Sequence, residues 1–375
     1  MTRDSGIRRG VAVSVALAVL WSLPAVCPAH EVDQFTVPKD KELADLGDYF
    51  NEYFISRIEE GVTRLNRRID KAVKQGNKTY HSTDTWLAPN PTKTLQDCHL
   101  PDGVARCVRG AFPGAMDLIE GTDRGIRARQ VKEQHPGKLT AYKAGDFDTI
   151  YQGLYFPLDP RQFFRLWKAS NIKVYGTYMG TDKFGHLIDM GYIYYKDYRK
   201  ELRKSGDEAK GVAKALRLIN DGLLGENGAL GYGTAGSYSN ADLAANYVGM
   251  LFFRNLTQPT RIKGRVRPPI LVRNGEYWKL SSHVRLDPRF FAMFISDHFD
   301  EVLNPSLWES GMRKHIRKQV AKRCASLMDW YADENGNHRS KEYFDNLVKE
   351  LSTYYGESYG HSGEFENLIH LGNTD

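Results

Sequence analysis

Between Lys39 and Gln75 the chain reads KDKELADLGDYFNEYFISRIEEGVTRLNRRIDKAVKQ. Leu43, Leu46, Phe50, Tyr53 or Phe54, Ile58, Val62, Leu65, Ile69 and Val73 recur every three to four residues. That spacing puts one apolar stripe on a helix, and the charged residues fall on the other side. Gly76-Asn77 ends the pattern. The rest of the chain repeats the theme. Thr181 opens a second helix to about Lys204, and Glu208 to Leu224 gives a third. Ser239-Asn-Ala-Asp242 has the form of a capping box ahead of a fourth helix that runs to about Phe253. Phe290 to Leu303 reads as helical. Ser306-Leu-Trp-Glu309 repeats the capping pattern before a long basic helix to about Tyr331, and Ser340 to Tyr355 reads as the last helix. One stretch has a strand signature: Ile270 to Val272, a turn at Arg273-Asn274-Gly275, and Glu276 to Leu280 predict a β-hairpin. Residues 77 to 180 and the tail from Gly356 read as irregular. The expected fold is mainly α: a helical bundle core with a small β-hairpin insertion and long irregular loops. Its segments are 1–29, 30–180, 181–258 and 259–375.

With 375 residues, 41% hydrophobic and 26% charged, the composition is globular and excludes a wholly disordered chain. Mean hydropathy is −0.52, and past the leader no apolar stretch reaches membrane-spanning length, so no mature transmembrane segment is expected. Residues 1 to 29 read as a secretory signal: Arg3, Arg8 and Arg9 precede an apolar run from Val11 to Val26, and Cys27-Pro28-Ala29 offers small residues for cleavage before His30. Lipidation of Cys27 is the weaker alternative, because Val26 fits poorly before it. The protein is therefore expected to be exported, periplasmic or secreted. Cleavage lowers the formal charge from +6 by two, and so mild an excess argues against nucleic acid as a partner. Basic runs such as Arg64 to Arg68 and Arg313 to Lys318 read first as solvated helix faces, with anionic envelope lipid or glycan as a secondary partner. Cys98 and Cys107 lie in a loop-like stretch, and an oxidising compartment predicts a local disulfide between them, leaving Cys324 as a buried free thiol.

The densest chemical signal is Gly180-Thr-Asp182-Lys183-Phe-Gly185-His186-Leu-Ile-Asp189. On a helix Asp182, His186 and Asp189 share a face. Two carboxylates about an imidazole can set its tautomer and raise its basicity, or join it as ligands of a divalent metal. Lys183 is placed to neutralise a carboxylate or hold an anionic group. A second half follows in Ser239-Asn-Ala-Asp242-Leu-Ala-Ala-Asn246-Tyr-Val-Gly249. Asp242 and Asn246 are one turn apart, and Ala244, Ala245 and Gly249 let a neighbouring helix come close. Glu226, in the glycine-rich connection, adds a further carboxylate. The same residues also have a plain reading as caps and ion pairs. Ser296-Asp297-His298-Phe-Asp300-Glu301 is a second acidic cluster, read either as another acid/base or metal pair or as a helix-terminal charge cluster. Asp333 to Asn337 resembles the start of a calcium loop but lacks its later ligands, and reads as a turn.

Asp-Lys-x-x-His, then an acidic residue, then Asp-x-x-x-Asn-x-x-Gly resembles the VanZ-like families and the YfiM-like predicted periplasmic lipoproteins. The matching positions are Asp182, Lys183, His186, Glu226, Asp242, Asn246 and Gly249, within residues 180 to 253. VanZ is tied to glycopeptide resistance at the cell envelope, so the resemblance implies an envelope role and a shared helical-hairpin site. VanZ-type proteins span the membrane several times, unlike this chain's mature region.

These readings converge on an exported envelope protein with a polar cleft. As a hydrolase of an envelope glycan, peptide or lipid-linked substrate it would use His186, Asp182, Asp242 and Glu226 for catalysis by water attack. Lys183, Asn246 and Asp189 would hold substrate. The metal candidates are His186, Asp182 and Asp242. Gly356-Glu357-Ser358-Tyr359-Gly360 matches G-x-S-x-G, but it lies in the tail that reads as irregular, with no strand-to-helix pattern around it, so water attack is expected rather than an acyl-enzyme. Gly231-Tyr-Gly233-Thr-Ala-Gly236 matches G-x-G-x-x-G, but no strand leads into it, so no nicotinamide or flavin is expected. The rival readings are a non-enzymatic factor that binds a lipid headgroup or glycan, and a purely structural polar cluster.

Overall fold

The computed structural model describes residues 33–36, 42–76, 91–112, 129–145, 148–152, 154, 169–221 and 236–374. The leader with Cys27, most of the aromatic stretch 151–167 and the loop that carries Glu226 lie outside the described residues. The described chain is mainly α, with small two-stranded antiparallel sheets.

Helix α1 (Gly47–Gly76) is the spine. Phe50, Phe54, Ile58, Leu65 and Ile69 are essentially inaccessible, as the apolar stripe requires, and Phe54 stacks on Phe291. The helix starts later than its periodicity predicts. Leu43 and Asp45 instead form isolated bridges to Leu139 and Lys173, so this stretch is extended. The Asp45 carboxylate accepts from the backbone N–H of Gly47 at 2.9 Å, and from those of Tyr175 at 2.8 Å and Gly176 at 2.7 Å. One side chain thus starts α1 and ties down the turn between β1 (Asn171–Val174) and β2 (Thr177–Gly180), where Tyr175 has a φ of +51°.

Helices α2 (Pro91–His99), α3 (Pro101–Arg109) and α4 (Arg129–Gln134) fall within the stretch that reads as irregular. Cys98 and Cys107 sit on α2 and α3, both buried and both free thiols. The expected disulfide is absent. The residues belong to two helices packed on α1 rather than to one loop, and Arg68 of α1 donates to the Cys107 sulfur at 3.4 Å.

A continuous helical rod follows: α5 (Asp182–Gly185), a π turn (His186–Met190) and α6 (Gly191–Ser205). It turns back through α7 (Glu208–Asp221). After β3 (Ser237–Tyr238) comes the buried α8 (Asn240–Asn255), capped by Ser239, whose hydroxyl accepts from the Asp242 N–H at 3.1 Å. Two hairpins follow, β4 (Thr260–Ile262) with β5 (Arg265–Arg267) and β6 (Leu271–Asn274) with β7 (Tyr277–Leu280); the second is the hairpin expected from the sequence. A short α9 (Ser282–Leu286) leads on. The stretch read as helical from Phe290 is two 3-10 turns, Phe290–Phe294 and Asp297–Phe299.

Leu307–Trp308 does not open a helix. It forms β8 and pairs with β3. The basic helix begins afterwards as α10 (Ser310–Ala321), with α11 (Cys324–Trp330) and α12 (Lys341–Leu351) behind it. These last helices enclose a second apolar cluster with Phe35, Ile150, Val302 and Trp308. The C-terminal tail packs down: Tyr359, Leu368, Ile369 and Leu371 are buried, and the Asn240 amide clamps Ser362.

Candidate metal centre

The site forms where α8 crosses the rod at its π turn. Two glycines set the distance. A Cβ on Gly249 would lie 2.0 Å from the Leu187 carbonyl oxygen, and one on Gly191 would lie 2.5 Å from the Cα of Gly249. No larger residue fits without moving backbone, so the helices touch main chain to main chain. Side chains one turn away on each helix are therefore forced together.

Lys183 lies at the centre, fully buried. Its ammonium is 2.8 Å from Asp182 Oδ2, 2.6 Å from Asp242 Oδ1 and 2.6 Å from Glu301 Oε1. Burial opposes its charge, but the three carboxylates outweigh burial and hold the amine well above its ordinary pKa. Burial pushes Asp182 up, and the neighbouring Asp242 adds to this against the pull of Lys183, so its net direction is upward. Burial also pushes Asp242 up, but His186 and Lys183 overcome it, and its net direction is downward.

His186 sits beside this cluster. Its Nδ1 is 3.0 Å from Asn246 Oδ1, and the Asn246 amide nitrogen is in turn 3.4 Å from the Tyr194 hydroxyl. An amide oxygen only accepts, so Nδ1 carries the proton and donates. In the neutral tautomer that this contact fixes, Nε2 is the free nitrogen, and it faces Asp242 Oδ2 at 3.4 Å. Two acceptors facing each other in a buried site need a positive charge between them, either a proton or a cation. Donor atoms of Asp182, His186 and Asp242 all lie within 4.8 Å of one another, and Asp182 Oδ1 is buried without a hydrogen-bond partner. An imidazole nitrogen fixed by a hydrogen bond on its far side, with two carboxylate oxygens, is a donor set that fits a divalent metal.

The structure thus brings together Asp182, Lys183, His186, Asp242 and Asn246 and leaves out others. Asp189 pairs with Arg109 of α3. The wider π turn changes the angular step after His186, so the i+7 position no longer completes the face. Lys183 cannot meet an anionic substrate, because it is sealed in by three carboxylates. Asn246 is buried and committed to His186 and Tyr194 rather than to a substrate. Glu226 lies outside the described residues. Glu301 is the member that sequence reasoning missed. It comes from the Ser296–Glu301 cluster, and its N–H donates to Gln34 Oε1 at 2.6 Å. The acidic run was a visible signal, but nothing local connects it to Lys183.

No family model matches the chain, and no curated protein and no solved structure matches it either. Among the described residues no helix is long and apolar enough to cross a membrane.

Proposed function

We propose that this is an exported cell-envelope protein that binds a divalent cation through Asp182, His186 and Asp242 and hydrolyses an envelope glycan, peptide or lipid-linked substrate by water attack. The observation that carries the reading is the contact of His186 Nδ1 with Asn246 Oδ1, with Nε2 turned to Asp242. Asn246 Oδ1 accepts from Nδ1–H, so in the neutral ring Nε2 presents a lone pair to Asp242 beside the unpartnered Asp182 Oδ1. A cation at that point would act as a Lewis acid and activate water. Asn246 keeps Nε2 as the ligating atom, and Lys183 holds one oxygen of each aspartate so that the other is presented.

A second reading has its own support. Lys183 touches every carboxylate of the cluster and is wholly buried, as in an ion-pair knot that only holds helices together. Elemental analysis after dialysis against zinc, manganese or magnesium separates the two. The metal reading expects one equivalent in the wild type and none in His186→Ala or Asp182→Asn, with circular dichroism confirming that the variants are folded. Metal-free wild type under all three conditions would leave the knot. A metal-loaded protein that is inactive on every envelope substrate class, with or without chelator, would leave a binding factor.

A further inference from the structure

Away from the cluster, the surface between Arg261 and Arg289 has an unusual composition. Leu286 is 80% exposed and Val266 67%, the highest values among the exposed large apolar side chains of the described residues, and Val272 and Tyr277 are exposed in the same segment. Exposed arginines and lysines are interleaved with them and outnumber the exposed acids, Glu276 and Asp287. The register of the two hairpins explains the mixture. Arg261 lies opposite Val266, and Val272 opposite Lys279. Cross-strand partners share a face. Thr260 and Ile262, and likewise Leu271 and Leu280, take the buried side. Each hairpin therefore turns one valine and one cation outward together.

Contacts to α1 place these elements in a row. Tyr277 donates to Asp70 at 2.8 Å, the Trp278 N–H to Asn66 at 3.0 Å, Arg285 reaches Glu59 at 3.4 Å, and the Phe291 N–H donates to Asn51 at 2.9 Å. Lys263, in the turn of the first hairpin, donates to the Ala292 carbonyl at 2.9 Å and draws that hairpin to the end of the row. The result is a rim of short, exposed aliphatic tips set among cations.

We propose that this rim docks the protein on a membrane surface rich in anionic phospholipid, with Val266, Val272 and Leu286 entering the headgroup layer and Arg261 and Lys279 holding phosphates. Charge complementarity selects an anionic surface. The aliphatic tips select lipid over nucleic acid, which would leave them in water and would instead favour stacking aromatic rings. The inference is independent of the metal centre.

Co-sedimentation with vesicles tests it. Wild-type protein is expected to pellet with equimolar phosphatidylcholine and phosphatidylglycerol, and not with phosphatidylcholine alone. Val266→Asp/Leu286→Asp and Arg261→Glu/Lys279→Glu are each expected to weaken binding about tenfold or more. All four positions are exposed, and an unchanged melting temperature would confirm the fold. Three results would overturn the proposal: no wild-type binding at low salt, equal binding to both vesicle types, or full binding by the valine–leucine variant. The last would mark a purely electrostatic surface, as for nucleic acid or an acidic glycan.

Discussion

Replacing Lys183 with methionine tests whether the cluster is organised around one ammonium. The substitution keeps most of the volume and removes only the charge. Asp182, Asp242 and Glu301 then face each other unpaired. Removing one partner of a buried ion pair costs about 3–5 kcal/mol. Here the donor oxygens of Asp182 and Asp242 lie within 4.8 Å of each other. At that separation two like charges repel by about 3 kcal/mol at an effective dielectric constant of about 20. A loss of at least about 3–5 kcal/mol is therefore expected near neutral pH, a large share of a typical stability of about 5–15 kcal/mol.

The pH dependence gives a sharper check. Without the lysine, the folded pKa values of these acids rise above their unfolded values. Such groups cost nothing below the unfolded pKa, and their penalty grows as pH rises through the folded pKa. In the wild type the raised pKa of Lys183 keeps its amine charged at acidic and neutral pH, where it offsets the carboxylates that are ionised. The gap between the two proteins should therefore narrow on acidification. Urea unfolding followed by circular dichroism at about pH 8 and about pH 5 reads both quantities. A variant within about 1 kcal/mol of wild type at both values, no more than a surface ion pair is worth, would refute a charge-centred cluster.

Three further outcomes follow from neighbouring features. Asp300 is fully buried with Tyr331 donating to both its oxygens, and burial pushes its carboxyl up to about 8. Its contribution is complete below the unfolded pKa and is lost as pH rises towards that value, so Asp300→Asn should remove about 1.4 kcal/mol per pH unit from the slope of stability against pH between about 4 and 8, read by urea titration; an unchanged slope would contradict this. Gly249→Ala should cost about 3 kcal/mol or more in thermal or urea unfolding, because its Cβ would land 2.0 Å from the Leu187 carbonyl; a loss under about 1 kcal/mol would mean the crossing has slack. Alkylation under denaturing, non-reducing conditions should label both Cys98 and Cys107, and a disulfide-linked peptide containing the two would overturn the thiol assignment.

What could be read from the chain depended on how local the cause was. The stripe of α1, the Ser239 cap and the 270–280 hairpin follow from neighbours in sequence. The meeting of Asp182 and His186 with Asp242 and Asn246 was legible because Ala244, Ala245 and Gly249 announce a close crossing. The failures have distant causes. Residues 43–46 keep a helical spacing but are extended because Leu139 and Lys173 pair with them. The β1–β2 turn has no Asn-Gly signature; Asp45, from another segment, stabilises Tyr175 there. Asp189 was misplaced by a π turn that apolar periodicity does not encode. Glu301 reaches Lys183 across 118 positions, through a 3-10 segment whose place depends on Gln34 and the core.

Lysine at the heart of the proposed metal-ligand set looks contradictory, since a resident ammonium repels an incoming cation. The oxygens resolve it. Lys183 takes Oδ2 of Asp182 and Oδ1 of Asp242, while Asp182 Oδ1 has no partner and Asp242 Oδ2 faces His186. Each aspartate divides its two oxygens between the lysine and a point on the histidine side. With all three carboxylates ionised and the imidazole neutral, the cluster is two negative charges in excess. That is the charge a divalent ion would neutralise. The knot and the proposed metal centre would therefore not be competing uses of the same atoms. The lysine contacts fix the carboxylates at an angle that a free pair would lose entropy to adopt, and Asn246 does the same for the ring. The proposed cation would then meet three donors already in place, and on that reading losing Lys183 should damage metal retention as well as stability.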